Sequence, residues 1–358
     1  MNSFYQVIIA GGSGSRFWPQ SRKHKPKQLL KIIDDETMIS LTYKRLKTTS
    51  KANHILIVAS KKLCLKIQKE IPEIPRENYI IEPSGKNTAP AIGLAALHVL
   101  QRDSNAIMGI YPADHLIQGN KKFQDVIRKA QEIVRKKSSL IAIGVKPTYA
   151  ATGYGYINYD PLEKNEITSV YKVKKFVEKP SVENAKILLN SGKYLWNGGM
   201  FIWKAKTLLS EIKTFMPNLS KSLDSIKNVI STSKYVNVLG KEWNTIIPQS
   251  IDYGILEKSN NIFTIEADFI WNDIGSWKSL FSILAKNKDQ NHHKGDVISL
   301  KSSNNLIISP NRLTAVIGIE NLSIINLEDA TLIVSHENAE SVKDIVEMLK
   351  SLNKNKYL

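Results

Sequence analysis

The chain has 358 residues, is 42% apolar and 23% charged, and carries a formal net charge of +17. That length buries about 75% of the unfolded surface without covalent staples, and the single cysteine, Cys64, excludes a disulfide framework and an all-cysteine metal site. No apolar run reaches the ~18 residues of a membrane-spanning helix, so a reducing cytoplasm and no membrane partner are expected.

Elements in chain order begin with Phe4–Ala10, which has no basic residue before it and reads as a first strand rather than a secretory leader. Strands Ile55–Ala59, Tyr79–Glu82, Ala106–Tyr111 and Leu140–Gly144 follow. Between them, helical apolar spacing marks Met38–Leu46, Ala89–Leu100 and Phe123–Val134. Strand–helix alternation of this kind predicts an α/β sheet covered by helices on both faces, with ligands beyond the C-terminal strand ends. From Tyr154 the extended pieces lengthen (Tyr154–Tyr159, Ser169–Val177, Gly199–Trp203), with helices Val182–Leu189, Ala205–Phe215 and Trp277–Lys286. These predict mixed strands added to a parallel core.

A polar stretch, Lys286–Lys294, precedes a change of pattern. Val297–Ile298, Ile307–Ile308, Val316–Ile317, Ile324–Ile325 and Ile333–Val334 recur every 8 to 10 residues. The spacing predicts a small β unit, solenoid or sandwich. A last helix, with Val342, Ile345, Val346 and Leu349 on one face, follows Asn338. The domain boundary is set at residue 289, giving segments 1–288 and 289–358.

The run Gly11-Gly12-Ser13-Gly14-Ser15-Arg16-Phe17-Trp18-Pro19 follows the first strand, with Pro26-Lys27-Gln28 shortly after. It is not a dinucleotide fingerprint, because Phe17 stands where a third Gly is required, and it lacks the Gly-Lys-Ser/Thr of a P-loop. Its physics still points to a polyphosphate. Gly11, Gly12 and Gly14 let backbone N–H groups approach closely, Arg16 supplies a planar fork and Lys27 a point charge.

Further motifs continue in order: Glu82-Pro83-Ser84-Gly85-Lys86-Asn87-Thr88, Pro112-Ala113-Asp114-His115, Gly153-Tyr154-Gly155-Tyr156-Ile157, Phe176-Val177-Glu178-Lys179-Pro180, Trp196-Asn197-Gly198-Gly199-Met200 and Trp271-Asn272-Asp273-Ile274-Gly275. From residue 6 to about 280 this series resembles the sugar-1-phosphate nucleotidyltransferases, and among them the mannose-1-phosphate guanylyltransferases. The resemblance implies a Rossmann-like (GT-A-like) mixed sheet, a small left-handed β-helix-like tail with its terminal helix, and a homodimer. It further implies GMP transfer from GTP to mannose 1-phosphate, giving GDP-mannose and pyrophosphate. Lys86 departs from the Arg expected there, and with the chain ending at Leu358 the isomerase half of bifunctional relatives is not expected.

The resemblance also distributes roles. Arg16 and Lys27 hold the triphosphate; Asp114 and Asp273 hold Mg²⁺; Gly11, Gly12, Gly14, Glu82, Asn87 and Thr88 bind the nucleotide; Tyr154, Gly155, Glu178, Lys179 and Asn197 bind the sugar phosphate. The chemistry suits an in-line displacement, since the attacking oxygen is already anionic and needs charge compensation rather than a side-chain nucleophile. Asp114 at a strand exit and Asp273 in a glycine-containing turn are otherwise ordinary capping residues, and the alternative for Glu82 is a charge near a helix start.

Three other readings stand beside this one. The same chemistry would serve another sugar phosphate or base, and the same fold would serve a non-catalytic nucleotide-binding paralogue, although retention of Lys27, Asp114 and Asp273 weighs against the latter. Residues 1–288 carry +19 and 289–358 carry −2, so an anionic polymer is the remaining candidate. Only 8 of the 50 basic residues are Arg and no basic run exceeds three, so no nucleic-acid partner is expected.

Overall fold

The computed structural model describes residues 3–12, 14–33, 35–164 and 169–358; Ser13 of the glycine run lies outside the described residues. The chain divides into two compact units. One comprises Met1–Gly11, Tyr43–Ala113 and Ile117–Trp271, and the other Gly12–Thr42, Asp114–Leu116 and Asn272–Leu358.

The larger unit is built on a nine-stranded sheet. Its strands are β1 (Phe4–Ala10), β2 (Ile55–Ser60), β3 (Tyr79–Glu82), β4 (Ile107–Pro112), β5 (Leu140–Val145), β6 (Tyr156–Lys164), β7 (Val170–Val177), β8 (Tyr194–Lys204) and β9 (Ile262–Ala267). The order is β3-β2-β1-β4-β8-β5-β9-β7-β6. Strands β3, β2, β1 and β4 run parallel, β8 runs antiparallel to both β4 and β5, and β5 pairs in parallel with β9. The expected α/β class with added mixed strands is therefore present. Consecutive residues of β1 are buried, which requires cover on both faces. Tyr5 and Val7 pack in a cluster with Leu94 and Val99 of the helix Thr88–Arg102. In β4, Tyr111 lies 6.0 Å (ring centroids) from Phe123 of the helix Asn120–Lys136, whose buried stripe is Phe123, Val126, Ile127, Ala130, Ile133 and Val134.

Some elements differ from the sequence expectation. The strand expected from Tyr154 starts at Tyr156, because Tyr154 is drawn into an aromatic cluster instead. The helix expected to reach Lys286 ends at Ile283. Strand β9 does not stand out in the sequence because Thr264 and Glu266 interrupt its apolar run, yet Thr264 is fully buried.

In the smaller unit four strands form one sheet: β10 (His292–Leu300), β11 (Leu306–Ile317), β12 (Leu322–Asn326) and β13 (Thr331–Ser335). The first three pair in parallel, with Val297 opposite Thr314, Leu306 opposite Ser323 and Ser303 opposite Glu320, each displaced by 17 residues. At the start of β10 the displacement is 14, His292 standing opposite Leu306, and it lengthens to 17 after the register shift between Gly295 and Val297. Parallel neighbours one short turn of chain apart make a coil, so the β pairs resolve as a solenoid rather than a sandwich. Buried asparagines staple the coil at successive turns. Asn291 Oδ1 accepts from Asn305 N at 2.8 Å, and Asn305 Oδ1 accepts from Leu322 N at 2.9 Å. This coil shares a single core with the glycine-run segment: Phe17, Trp18, Leu30 and Met38 pack with Trp277, Leu306, Ile325, Val342 and Val346.

Candidate active site

Of the residues expected to meet phosphate, Gly12, Gly14, Arg16 and Lys27 lie in the smaller unit. Gly12 and Gly14 take positive φ values of 80° and 63°, conformations that favour glycine. Gly14 has a second constraint, because a Cβ there would collide with the Lys27 side chain. The turn is closed by Ser21 Oγ donating to Gly14 O at 2.7 Å and Phe17 N donating to the same oxygen at 2.9 Å. Its underside is fixed by Trp277 Nε1, which donates to Trp18 O at 3.1 Å, and by Trp18 Nε1, which donates to Tyr357 O at 2.8 Å.

Lys27 is only 6% exposed. Its Nζ donates to the main-chain oxygen of Asp273 at 2.8 Å and lies 2.9 Å from Asp114 Oδ2. Burial by itself raises the Asp114 carboxyl, but the Lys27 ammonium and His115 outweigh it and hold the group below its ordinary value. Asp273 sits in a tight turn: Ile274 has φ 45°, and its N–H donates to Asn272 Oδ1 at 2.7 Å. Gly14, Arg16, Lys27, Asp114, His115 and Asp273 line one cleft of about 340 Å³. Arg16 is 44% exposed on its side chain and pairs through Nε with Glu340 Oε2 at 2.6 Å. Two carboxylates in one cleft suit a hard divalent cation that takes its other ligands from phosphate oxygens and water.

The remaining candidates lie in the larger unit, as does Gly11. Glu82 ends β3, is 8% exposed, and has its carboxyl pushed up to about 7 by burial. The segment after it is pinned by several bonds: Trp243 Nε1 donates to Ser84 O at 2.7 Å, Gln249 N to Lys86 O at 3.2 Å and Ile251 N to Thr88 Oγ1 at 2.8 Å. Asn87, at φ 70°, caps the following helix by accepting from Thr88 N at 2.8 Å. The capping reading of that segment and the nucleotide reading are compatible, because the cap leaves the Asn87 amide nitrogen unused by it.

Tyr154 and Tyr156 separate. Tyr156 is fully buried, its hydroxyl donating to Ala151 O at 2.9 Å, whereas Tyr154 packs 5.1 Å (ring centroids) from both Trp196 and Trp271. Gly155 lets the chain pass directly over Glu178, where a Cβ would collide with Glu178 Oε2. Asn197 N donates to Gly155 O at 2.8 Å, so Gly155, Glu178 and Asn197 converge. Lys179, at φ 43°, turns back so that Nζ pairs with Glu178 Oε1.

A family model described as nucleotidyl transferase matches residues 5–290, and one described as MannoseP isomerase/GMP-like beta-helix domain matches residues 295–349. Mannose-1-phosphate guanylyltransferase 2 of Escherichia coli O157:H7 is 36% identical over 98% of this chain and 74% of its own length. The chain belongs to the mannose-1-phosphate guanylyltransferase family. Mannose-1-phosphate guanylyltransferase RfbM of Salmonella typhimurium is likewise 36% identical, over 99% of this chain and 74% of its own. A crystal structure from Thermus thermophilus, described as a mannose-1-phosphate geranyltransferase, superposes with a TM-score of 0.88 at 25% identity, covering 97% of this chain and 99% of that one. No helix among the described residues is long and apolar enough to cross a membrane.

Two residues of this family member are absent from the sequence reading. Glu340, in the 3₁₀ turn His336–Ser341, supplies the partner of Arg16 from the segment beyond residue 289. Asp252 accepts from Asn197 Nδ2 at 2.7 Å. The signal for Asp252 was a lone acid inside Ile251-Asp252-Tyr253-Gly254-Ile255-Leu256, an otherwise apolar stretch.

Proposed function

We propose that this chain transfers GMP from GTP to mannose 1-phosphate, releasing pyrophosphate and GDP-mannose. The observation that carries the reading is the buried Lys27 ammonium bonded to Asp114 and to the Asp273 main chain, in a cleft that also contains Gly14 and Arg16. The ammonium is compensated within the protein by Asp114, and in this reading a triphosphate brings further anionic oxygens to the same cleft.

In this reading the glycine turn presents backbone N–H groups, Arg16 grips phosphate oxygens through its planar fork, and Lys27 offsets the charge that builds on the transferring phosphorus and the leaving pyrophosphate. Asp114 and Asp273 would hold Mg²⁺, which when bound would polarise the phosphoryl oxygens and help neutralise the departing charge. Among the described residues no group of three potential metal ligands occurs; a cation held by Asp114 and Asp273 would take its other ligands from substrate and water. Glu82 accepts from the guanine N1–H and N2–H₂ donors, with Asn87 and Thr88 beside the base and ribose. Tyr154, Gly155, Glu178, Lys179 and Asn197 line the sugar half, Lys179 countering the sugar phosphate. The nucleophile is the phosphate oxygen of the sugar substrate, so no side chain has to be deprotonated to attack.

We assign catalysis to residues 1–288 and support to 289–358, in a cytoplasmic homodimer. Support for a second copy comes from an outward apolar strip: Ile298 (57% exposed), Leu300 (55%) and Ile317 (68%), with Leu300 directly opposite Ile317 on adjacent strands. Ile317→Lys should shift the sedimenting species to a monomer; an unchanged dimer would remove this face from consideration.

The deciding assay incubates purified protein with Mg²⁺, mannose 1-phosphate and an equimolar mixture of four nucleoside triphosphates, with mass detection. GDP-mannose as the main product supports the reading. A different sugar nucleotide redirects it, and nucleotide binding without turnover would make the chain a non-catalytic paralogue.

A further inference from the structure

The side-chain amide of Asn197 is engaged within the protein at both ends, with one N–H and one oxygen lone pair left over. Asn197 Nδ2 donates to Asp252 Oδ1 at 2.7 Å, and Asn197 Oδ1 accepts from Gly199 N at 3.1 Å. Both ends of the amide are therefore fixed within the protein. Asn197 stands in β8 opposite Gly144, next to a register shift after Ala142 that turns this stretch of strand. The backbone thus aims Asn197, and Asn197 aims Asp252.

Asp252 opens the π-helical turn Asp252–Leu256, an uncommon local geometry that recurs at functional positions. Its carboxyl is pushed up to about 6 by burial and by the neighbouring Glu178 carboxylate, while Asn197 and Lys179 pull the other way. Glu178 is itself only 11% exposed on its side chain, and its Oε1 is held by Lys179. Gly155 lies against Glu178 and accepts from Asn197 N, and Asn197 bonds to Asp252, so the two carboxylates are linked through Asn197 and Gly155, each with one oxygen committed to a protein donor and with acceptor capacity on the other. Like charges in such a place are relieved by neutral O–H donors, and a pyranose presents several in fixed directions.

We infer that Asp252 contacts the sugar directly and, with Glu178, selects the hexose 1-phosphate by accepting from its hydroxyls, while Asn197 is a positioning residue that acts through Asp252. The inference rests on the guanylyltransferase reading and deepens it, replacing direct hydroxyl contact by Asn197 with contact by the residue it orients.

The test uses the full chain with mannose 1-phosphate and its 2-, 3-, 4- and 6-deoxy analogues. Asp252→Asn keeps the shape and removes the charge. It should lower kcat/KM for mannose 1-phosphate by about tenfold to a hundredfold, leaving the KM for GTP unchanged. One deoxy analogue should cost the parent enzyme a similar factor yet cost Asp252→Asn almost nothing more, because the lost hydroxyl and the lost charge are the same contact. Asn197→Ala should reproduce the loss, and combining it with Asp252→Asn should add little. Losses that add at every hydroxyl position, or an unchanged sugar KM in Asp252→Asn, would overturn the assignment. GTP affinity, measured by calorimetry on each variant, reports whether the fold survives. If Asp252→Asn loses GTP binding as well, the parent's analogue series decides: equal tolerance of all four deoxy sugars overturns the assignment. A parent enzyme that uses a different sugar phosphate fails the guanylyltransferase reading alone, and the same cycle is then run on that sugar's deoxy series.

Discussion

Lys27 Nζ stands 2.9 Å from Asp114 Oδ2, so the proposed triphosphate cation and one proposed metal carboxylate are direct partners. The pair is well buried on the lysine side, at 7% exposure, and only a quarter exposed on the aspartate side. In such surroundings, removing one partner costs far more than the pair contributes on a surface.

Lys27→Ala is expected to reduce kcat/KM by about a hundredfold to a thousandfold, the scale for deleting one preorganised donor at a transferring centre. Steady-state kinetics with GTP varied will measure it. A decrease of only a few-fold would show that Lys27 does not meet the reacting phosphates.

Gly14→Ala places a methyl group against the Lys27 side chain at a backbone φ of 63°, and should cost at least about 1–3 kcal/mol of stability together with most of the activity. Gly85→Ala is the contrast: its Cβ would meet nothing within 4 Å and no left-handed φ is required there. It should unfold within about 0.5 kcal/mol of the parent. Denaturant titration of both variants tests the difference.

Glu82 gives a pH dependence with a definite sign. Its carboxyl titrates near 4.5 when unfolded and at about 7 when folded, so between those values the folded chain keeps a proton that the unfolded chain has lost. Stability is therefore lost as pH rises through that window. Glu82→Gln removes the effect, and its melting midpoint should gain on the parent between pH 5 and pH 8. The same variant should lose part of the preference for GTP over ATP, because one guanine acceptor is weakened.

Asn305 is fully buried in the coil, accepting from Leu322 N and donating through Nδ2 to Ile319 O at 3.0 Å. Asn305→Ala leaves these groups without their partner and should destabilise by about 2–4 kcal/mol. The glycine turn shares a core with this coil, so activity should disappear at the same temperature as the coil's circular dichroism signal. Separate transitions would show that the coil does not support the turn.

Much of this protein is written locally. Strand β1, the helix Ala205–Phe215 and the glycine turn were legible, because apolar periodicity and glycine or proline punctuation act over a few residues; of the five recurring β pairs, Ile307–Ile308 and Val316–Ile317 fall in the one strand β11. The order of motifs likewise pointed to the family. What no local pattern holds is which distant groups meet. Lys27 reaches an oxygen 246 residues further along the chain, Asn197 bonds to an aspartate 55 residues on, and residues 12–42 join the core of the C-terminal coil. Those pairings were decided by tertiary packing, since burial makes an unpartnered charge or amide expensive and leaves the folded chain few ways to satisfy it.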